Sequence, residues 1–242
     1  MWLILAFIGH SAKALGFLGD KLFIEKLLPS PKALAFLSGT GGIIYFLIMP
    51  WFLKPADNIT LAAGILAGAL GIPALVYFYR AVDRDEISRV VPAIGSITPI
   101  ATFILSYFIL GERFGMQTSF AFILLVAGGV LVAARSFASM IRRKDFQLFS
   151  LEILVAGLFA LSAVLMKFAF ESTDDISAFL WSRLGSVGAA LFLLSDSEVQ
   201  YRLKLSRFRE EGAKKELFYV STRLLTGIAP LIIWVAISYG SV

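Results

Sequence analysis

Residues 59–79 read ITLAAGILAGALGIPALVYFY, twenty-one positions without a single charge. A helix that crosses a bilayer needs roughly 20 predominantly apolar residues, and this run supplies them in one piece. The apolar positions are continuous, not alternating as in the strand of a membrane barrel. In hydrocarbon the backbone has to satisfy its own hydrogen bonds, so an apolar run of this length becomes a helix. Gly64, Gly68 and Gly71 lie along it and Pro73 sits near its middle, which predicts close helix packing around one kink.

Seven further stretches of the same kind flank it, and together they predict an all-α polytopic membrane helical bundle. The eight spans run Trp2–Ile24, Ala33–Leu53, Ile59–Tyr79, Pro92–Leu110, Gly115–Ala134, Phe149–Phe170, Ser177–Leu194 and Leu217–Tyr239. The first lacks a basic leader and a small-residue cleavage site and carries Lys13, so it reads as a retained helix. The composition agrees. Of 242 residues 58% are hydrophobic and 16% charged, and the mean hydropathy is +0.83. Soluble domains carry about 45–50% apolar and about 25% charged residues. A soluble fold, disorder and a coiled coil are all excluded. With no Cys and one His, thiolate chemistry and His-rich metal sites are excluded as well, and neither a cofactor nor a metal is expected.

The charge of +5 is explained by topology, not by nucleic acid. Loops after spans one, three, five and seven carry 15 of the 22 Lys and Arg, whereas loops after spans two, four and six carry only Lys54 and Arg113. By the positive-inside rule the odd loops are cytosolic and the N-terminus faces outward, as expected for a multi-pass protein of the plasma (inner) membrane. The long seventh loop, Ser195–Glu216, holds Arg202, Lys204, Arg207, Arg209, Lys214 and Lys215. It reads either as a solvated basic loop or as an interfacial amphipathic helix on anionic lipid.

The spans repeat. Ala14-Leu15 followed by Lys21 is matched by Ala160-Leu161 followed by Lys167, and Ala35-Phe36-Leu37 then Gly41 by Ala178-Phe179-Leu180 then Gly185. Gly71-Ile72-Pro73 is matched by Gly227-Ile228-Ala229-Pro230. Three matches in one order predict a duplicated five-helix unit, and an odd unit is inverted in its second copy. The expected repeats are residues 1–140 and, incomplete, 148–242. Helices nine and ten of an expected ten, roughly 50 residues on the repeat argument, are expected beyond Val242.

Several stretches resemble the EamA-type branch of the drug/metabolite transporter superfamily. They are Glu86-Ile87-Ser88-Arg89-Val90-Val91-Pro92, Thr98-Pro99-Ile100, Leu110-Gly111-Glu112-Arg113 and the Gly-rich Ala127-Gly128-Gly129-Val130-Leu131. Asp20-Lys21 and Phe179-Leu180-Trp181-Ser182-Arg183 are similar to one bacterial branch of it. The resemblance implies ten helices in two repeats and transport of small metabolites or drugs. Many members are drawn with a cytosolic N-terminus, opposite to the charge count here.

Paired breaks at matching places of inverted repeats point to a binding site, which singles out Pro73 and Pro230. Ionisable residues inside spans are functional candidates by default. Lys13 is central in span one, and His10, Lys13, Phe17 and Asp20, spaced three, four and three apart, fall near one helical face. Arg183 in span seven suits a carboxylate because its donors form a fork, and Trp181 beside it could stack on an aromatic or cationic solute or anchor the interface. Lys21 and Lys167 read as snorkelling. The glycines of spans two, three and seven read as close-packing positions. The expected function is a secondary transporter of a small molecule, ion-coupled or not, in contact with lipid and not with nucleic acid. The alternatives are a non-transporting membrane scaffold and an intramembrane enzyme, for which no Gly-x-Ser-x-Gly or His-Glu-x-x-His motif is present.

Overall fold

The computed structural model describes residues 2–26, 30–47, 49–143, 146–205, 221–222 and 227–233. The described residues form helices and short connections with no strand. They comprise α1 (Trp2–Lys26), α2 (Pro31–Thr40), α3 (Met49–Phe52), α4 (Asn58–Arg84), α5 (Ile87–Leu105), α6 (Met116–Arg143), α7 (Phe146–Ser172), α8 (Asp175–Phe192) and α9 (Ser197–Leu205). Residues 227–233 add a further helical piece within the eighth expected span. Most of that span lies outside the described residues. Among those described, five helices are long and apolar enough to cross a membrane, namely Leu3–Lys21, Asn58–Arg84, Ile87–Leu110, Phe146–Ser172 and Asp175–Ser195. The apolar part of α6, Met116–Leu131, is shorter.

The protein is a polytopic all-helical bundle, and α4 is its hub. It packs against α7, α8 and α2, with Ala63, Ala67, Ile72, Ala74, Val76, Phe78 and Tyr79 all buried. Small residues let those neighbours come close. A Cβ on Gly68 would stand 1.7 Å from the Ser182 carbonyl oxygen, and one on Gly185 would stand 1.9 Å from that of Ile65. Helices α4 and α8 therefore cross with backbone on backbone, a contact that only glycine permits there. Pro73 leaves the carbonyl four residues before it without its usual helical donor. Two serines bond carbonyls in that turn: Ser186 Oγ donates to Gly68 O at 3.1 Å and Ser162 Oγ to Ala67 O at 2.7 Å. The outer surface carries large apolar side chains such as Leu3, Phe7, Ile59, Phe108, Phe120 and Phe192, as a lipid-facing surface should.

Span two departs from the expected continuous helix over Ala33–Leu53. It is α-helical to Thr40, 3-10 from Gly41 to Leu47, and α-helical again from Met49. The local sequence explains this. Glycine holds a helix weakly, and Gly39, Gly41 and Gly42 fall within four residues. Thr40 Oγ1 turns back to the carbonyls of Phe36 and Leu37 at 3.0 and 3.2 Å, a bond that bends helices. Gly39 is indeed a packing position, 2.5 Å from Ala190 Cβ if it bore a Cβ. Gly41 is not, because nothing lies within 4 Å of its missing Cβ.

The Leu110-Gly111-Glu112-Arg113 motif has a structural account. A π-helical turn, Ser106–Leu110, extends α5, and Gly111 ends it with φ of +70°, a conformation that favours glycine. Glu112 then pairs with Lys167 of α7, and Arg113 lies over the Tyr107 ring at 5.4 Å. Lys167 also reaches Glu171 at 3.8 Å, so it is ion-paired and not merely snorkelling. Lys21 donates to the carbonyls of Val82 and Asp85 and closes the end of α4. Part of the seventh loop is ordered helix as well. Val199 of α9 is fully buried and clusters with Ala33, so residues 197–205 form a helix docked on α2 and not a free loop.

Candidate functional site

The candidate site forms where the 3-10 part of span two faces α8. Along α8, Phe179, Arg183 and Val187 recur every four residues and share one face. Val187 Cγ2 and Arg183 Cδ would lie 3.3 and 3.7 Å from a Cβ on Gly42. The guanidinium of Arg183 sits 4.8 Å from the centre of the Phe179 ring. Phe179 in turn meets the ring of Tyr45 edge-on at 5.0 Å, and Tyr45 donates its hydroxyl proton to the Gly227 carbonyl. The 3-10 segment, the helical Gly227–Pro230 stretch and the charge on α8 thus meet.

Arg183 is half-buried. Among the described residues its only hydrogen bond is a long one, 3.4 Å from Nη2 to Ser182 Oγ, and its buried Nε has no acceptor. No described carboxylate pairs with it. Trp181, two residues away, starts from another face: its Cβ abuts Gly64 of α4, so the structure does not stack it on Arg183. Its buried indole N–H likewise has no acceptor among the described residues.

The expected stripe on α1 divides. His10 and Lys13 are exposed, with Lys13 Nζ 5.8 Å from the Phe17 ring centre. Phe17 turns inward against Phe78 at 5.0 Å. Asp20 is only 2% exposed and accepts a 2.6 Å bond from the Tyr79 hydroxyl, which also lies 3.0 Å from Ser38 Oγ. That network ties α1, α2 and α4 together. No contact joins Lys13 to Arg183 among the described residues. Pro73 lies inside α4 near its crossing with α8, and Pro230 lies in the 227–233 piece.

Sequence reading missed Tyr45 and the role of Phe179, and took Gly42 as a packing position, as its closeness to Val187 bears out. The available signal was Gly39-Thr40-Gly41-Gly42 inside an apolar run, which is a helix interruption as much as a packing stripe.

Ionic contacts hold span two to the α8 region at both ends. At one end Lys32 pairs with Asp196 at 2.5 Å and Glu198 at 3.3 Å, while Ser30 Oγ donates to Glu198 at 2.8 Å. These hydrogen bonds, first to Asp196 and then to Glu198, hold the Lys32 pKa above its ordinary value. The bond from Lys32 holds Asp196 below the usual carboxylate range. At the other end Lys54 lies 3.7 Å from Asp174, and Ser177 Oγ bridges the Lys54 amide and the Phe52 carbonyl. Burial pushes Asp174 up, but the bonds from Ser177 and the charge of Lys54 outweigh it and lower its pKa.

A family model described as the EamA-like transporter family matches residues 1–134. No curated protein matches the chain, and no solved structure does.

Proposed function

The chain belongs to the EamA-like transporter family, and on that premise we propose that it is a secondary carrier of a small organic solute, working by alternating access between inverted halves. The observation that carries this reading is the meeting of a 3-10 segment that interrupts the α-helix, Gly41–Leu47, with a half-buried cation, Arg183, on the helix across from it. Interrupted helices in carriers present backbone groups and charges to a solute near the midplane.

The packing supports the inverted repeat. Helix α1 approaches the last described helix through Gly9, next to Ile233 and Ala229, as α7 approaches α4 through Ser162. Tyr45 bonds Gly227 as Ser186 bonds Gly68. These two contacts, of spans one and two with the eighth, thus have counterparts between spans six and seven and span three. The ionic contacts at Lys32 and Lys54 also exchange places under that relation. Each joins the start of one of the two related spans to the end of the other, so each is suited to close one face of the membrane.

In this reading Arg183 is the binding residue, with Phe179 and Tyr45 beside it. Lys13 and His10 on α1 are secondary contacts along the approach. Pro73 and Pro230 are the matched kinks, and Asp20 and Trp181 serve the scaffold around them. The odd loops face the cytosol and the N-terminus faces outward, on the charge distribution.

Membrane vesicles containing the full chain, loaded with an isotope-labelled cell extract, test the function. The expected result is faster release of at least one small solute than from vesicles carrying no chain. Equal release of every solute would reject the carrier and favour the scaffold. The Cys-free chain lets orientation be tested in the same preparation: a single Cys at position 54, and not one at 204, should react with an impermeant thiol reagent from outside.

A further inference from the structure

We propose that the solute itself supplies the counter-charge of Arg183: the site takes a small monocarboxylate, its carboxylate on the guanidinium and its apolar body against Phe179 and Tyr45. This deepens the carrier reading and rests on it for transport, though not for binding.

The argument begins with the charge. A guanidinium stays protonated under all ordinary conditions, and a charge within a membrane bundle is costly unless it is paired. Three other ionisable groups within the spans have partners: Lys21 bonds two carbonyls, Lys167 pairs with Glu112 and Glu171, and Asp20 accepts from Tyr79. Lys13 is not enclosed and lies beside the Phe17 ring. Arg183 alone among these combines enclosure with a buried donor, Nε, that has no described acceptor. An arginine kept for architecture would reach a carbonyl or a carboxylate. This one reaches a long hydroxyl contact and an aromatic ring.

Geometry narrows the ligand. Nε together with one terminal nitrogen forms the edge of the guanidinium that a carboxylate meets with two parallel bonds. The partners beside that edge are aromatic: Phe179, and Tyr45 standing edge-on to it. They offer apolar surface to the remainder of a solute. No second cation contacts Arg183, Phe179 or Tyr45 among the described residues. A phosphate monoester, carrying close to two charges, would remain half-compensated. A monocarboxylate leaves the site neutral, which is the state that crosses hydrocarbon at least cost.

The test uses the full chain purified in a neutral maltoside detergent. Its melting temperature is followed with acetate, pyruvate, hexanoate and phenylacetate, each against its amide, with inorganic phosphate and phosphatidylglycerol in parallel. At least one acid should raise the melting temperature saturably while its amide does not, since a ligand that binds only the folded state stabilises it. Arg183→Gln should weaken that acid roughly 10–100-fold, as expected for losing hydrogen bonds to a charged group. Arg183→Lys, which keeps the charge and loses the fork, should fall between the two. The ligand-free Arg183→Gln protein should melt no lower than the parent, because the change removes an uncompensated charge.

Four results would each overturn the proposal: no response to any of the acids, equal response to acid and amide, a response that survives Arg183→Gln, or a lower melting temperature in the ligand-free variant. A response to phosphate or phosphatidylglycerol with none to the acids would also overturn it and assign the site to a phosphoryl group. Carboxylate binding without solute release from vesicles would remove the carrier reading and leave this one. Release of neutral solutes that is unchanged by Arg183→Gln would do the reverse.

Discussion

Helix α8 meets its neighbours in two different ways. On one face Ser182, Gly185 and Ser186 press against α4 with backbone on backbone, and hydroxyls bond carbonyls across the gap. On the other face Phe179, Arg183 and Val187 look toward a 3-10 segment whose first glycine has nothing within 4 Å of its missing Cβ. The first face has no room for another atom and its polar groups find partners. The second keeps a charge with no carboxylate partner among the described residues beside a 3-10 backbone. A bundle that carried only the first kind of contact would be a rigid scaffold. On the carrier reading proposed above, the second kind is where a solute is held and a helix moves.

The largest predicted effect breaks the tight face. Gly185→Leu, or Gly68→Leu, sets a side chain where backbone atoms already stand within 2 Å of an ideal Cβ. The helices must separate, and overpacking of this kind costs about 3 kcal/mol or more. The expected outcome is loss of folded monodisperse protein on size exclusion and a steep fall in melting temperature. A Gly185→Leu protein that melts like the parent would mean that the two backbones do not touch.

Gly41→Ala sharpens the contrast from the other side. Alanine meets no neighbour there and the backbone is right-handed, with φ near −56°. Replacing glycine where the conformation suits alanine stabilises by about 0.4–1 kcal/mol through the unfolded state. The melting temperature should hold or rise slightly. Solute release should slow several-fold if residues 41–47 flex during transport, since alanine favours regular helix. Unchanged release with raised stability would show the 3-10 segment to be a static irregularity.

How much of this was legible beforehand follows from the physics of each feature. Span positions were legible because hydrophobic length is a one-dimensional property, and Ile59–Tyr79 lies wholly within α4. Gly64 and Gly68 of α4 and Gly185 of α8 were legible as packing residues because small residues recur at helix crossings, whereas Gly71 meets nothing within 4 Å. The break at Gly41 was not, because three glycines in a span are equally consistent with packing and with unwinding. Only the neighbours decide, and Gly39 and Gly41 decide oppositely. The stripe on α1 failed to hold together because a face shared by periodicity is wide. Phe17 and Asp20 reach the core while His10 and Lys13, nearer the N-terminus, stay exposed. Arg183 was legible as a candidate, but its aromatic setting depends on Tyr45 from a distant span.

The smallest predicted effects concern the ends of the contact between span two and α8. Lys32 is about a quarter exposed and has two acids, whereas Lys54 is 71% exposed and has one at 3.7 Å. Lys54→Met should therefore cost well under about 1 kcal/mol, as exposed pairs do, and Lys32→Met should lower the melting temperature more. The pH dependence gives the sign. Asp196 and Asp174 both titrate below their ordinary value when folded, so the stability they contribute is fully present above the unfolded aspartate pKa of about 3.9. It is lost as pH falls through their lower, folded-state values. Lys32, held above its ordinary value, contributes stability below the unfolded lysine pKa of about 10.4, and this is lost as pH rises through the folded value. Melting temperature should thus be level across the neutral range, fall below about pH 4, and fall again above about pH 10. Lys32→Met should flatten both flanks and Lys54→Met should barely change the acid one. An acid flank that is flatter for Lys54→Met than for Lys32→Met would show that the Lys54 end, not the Lys32 end, is the tighter closure.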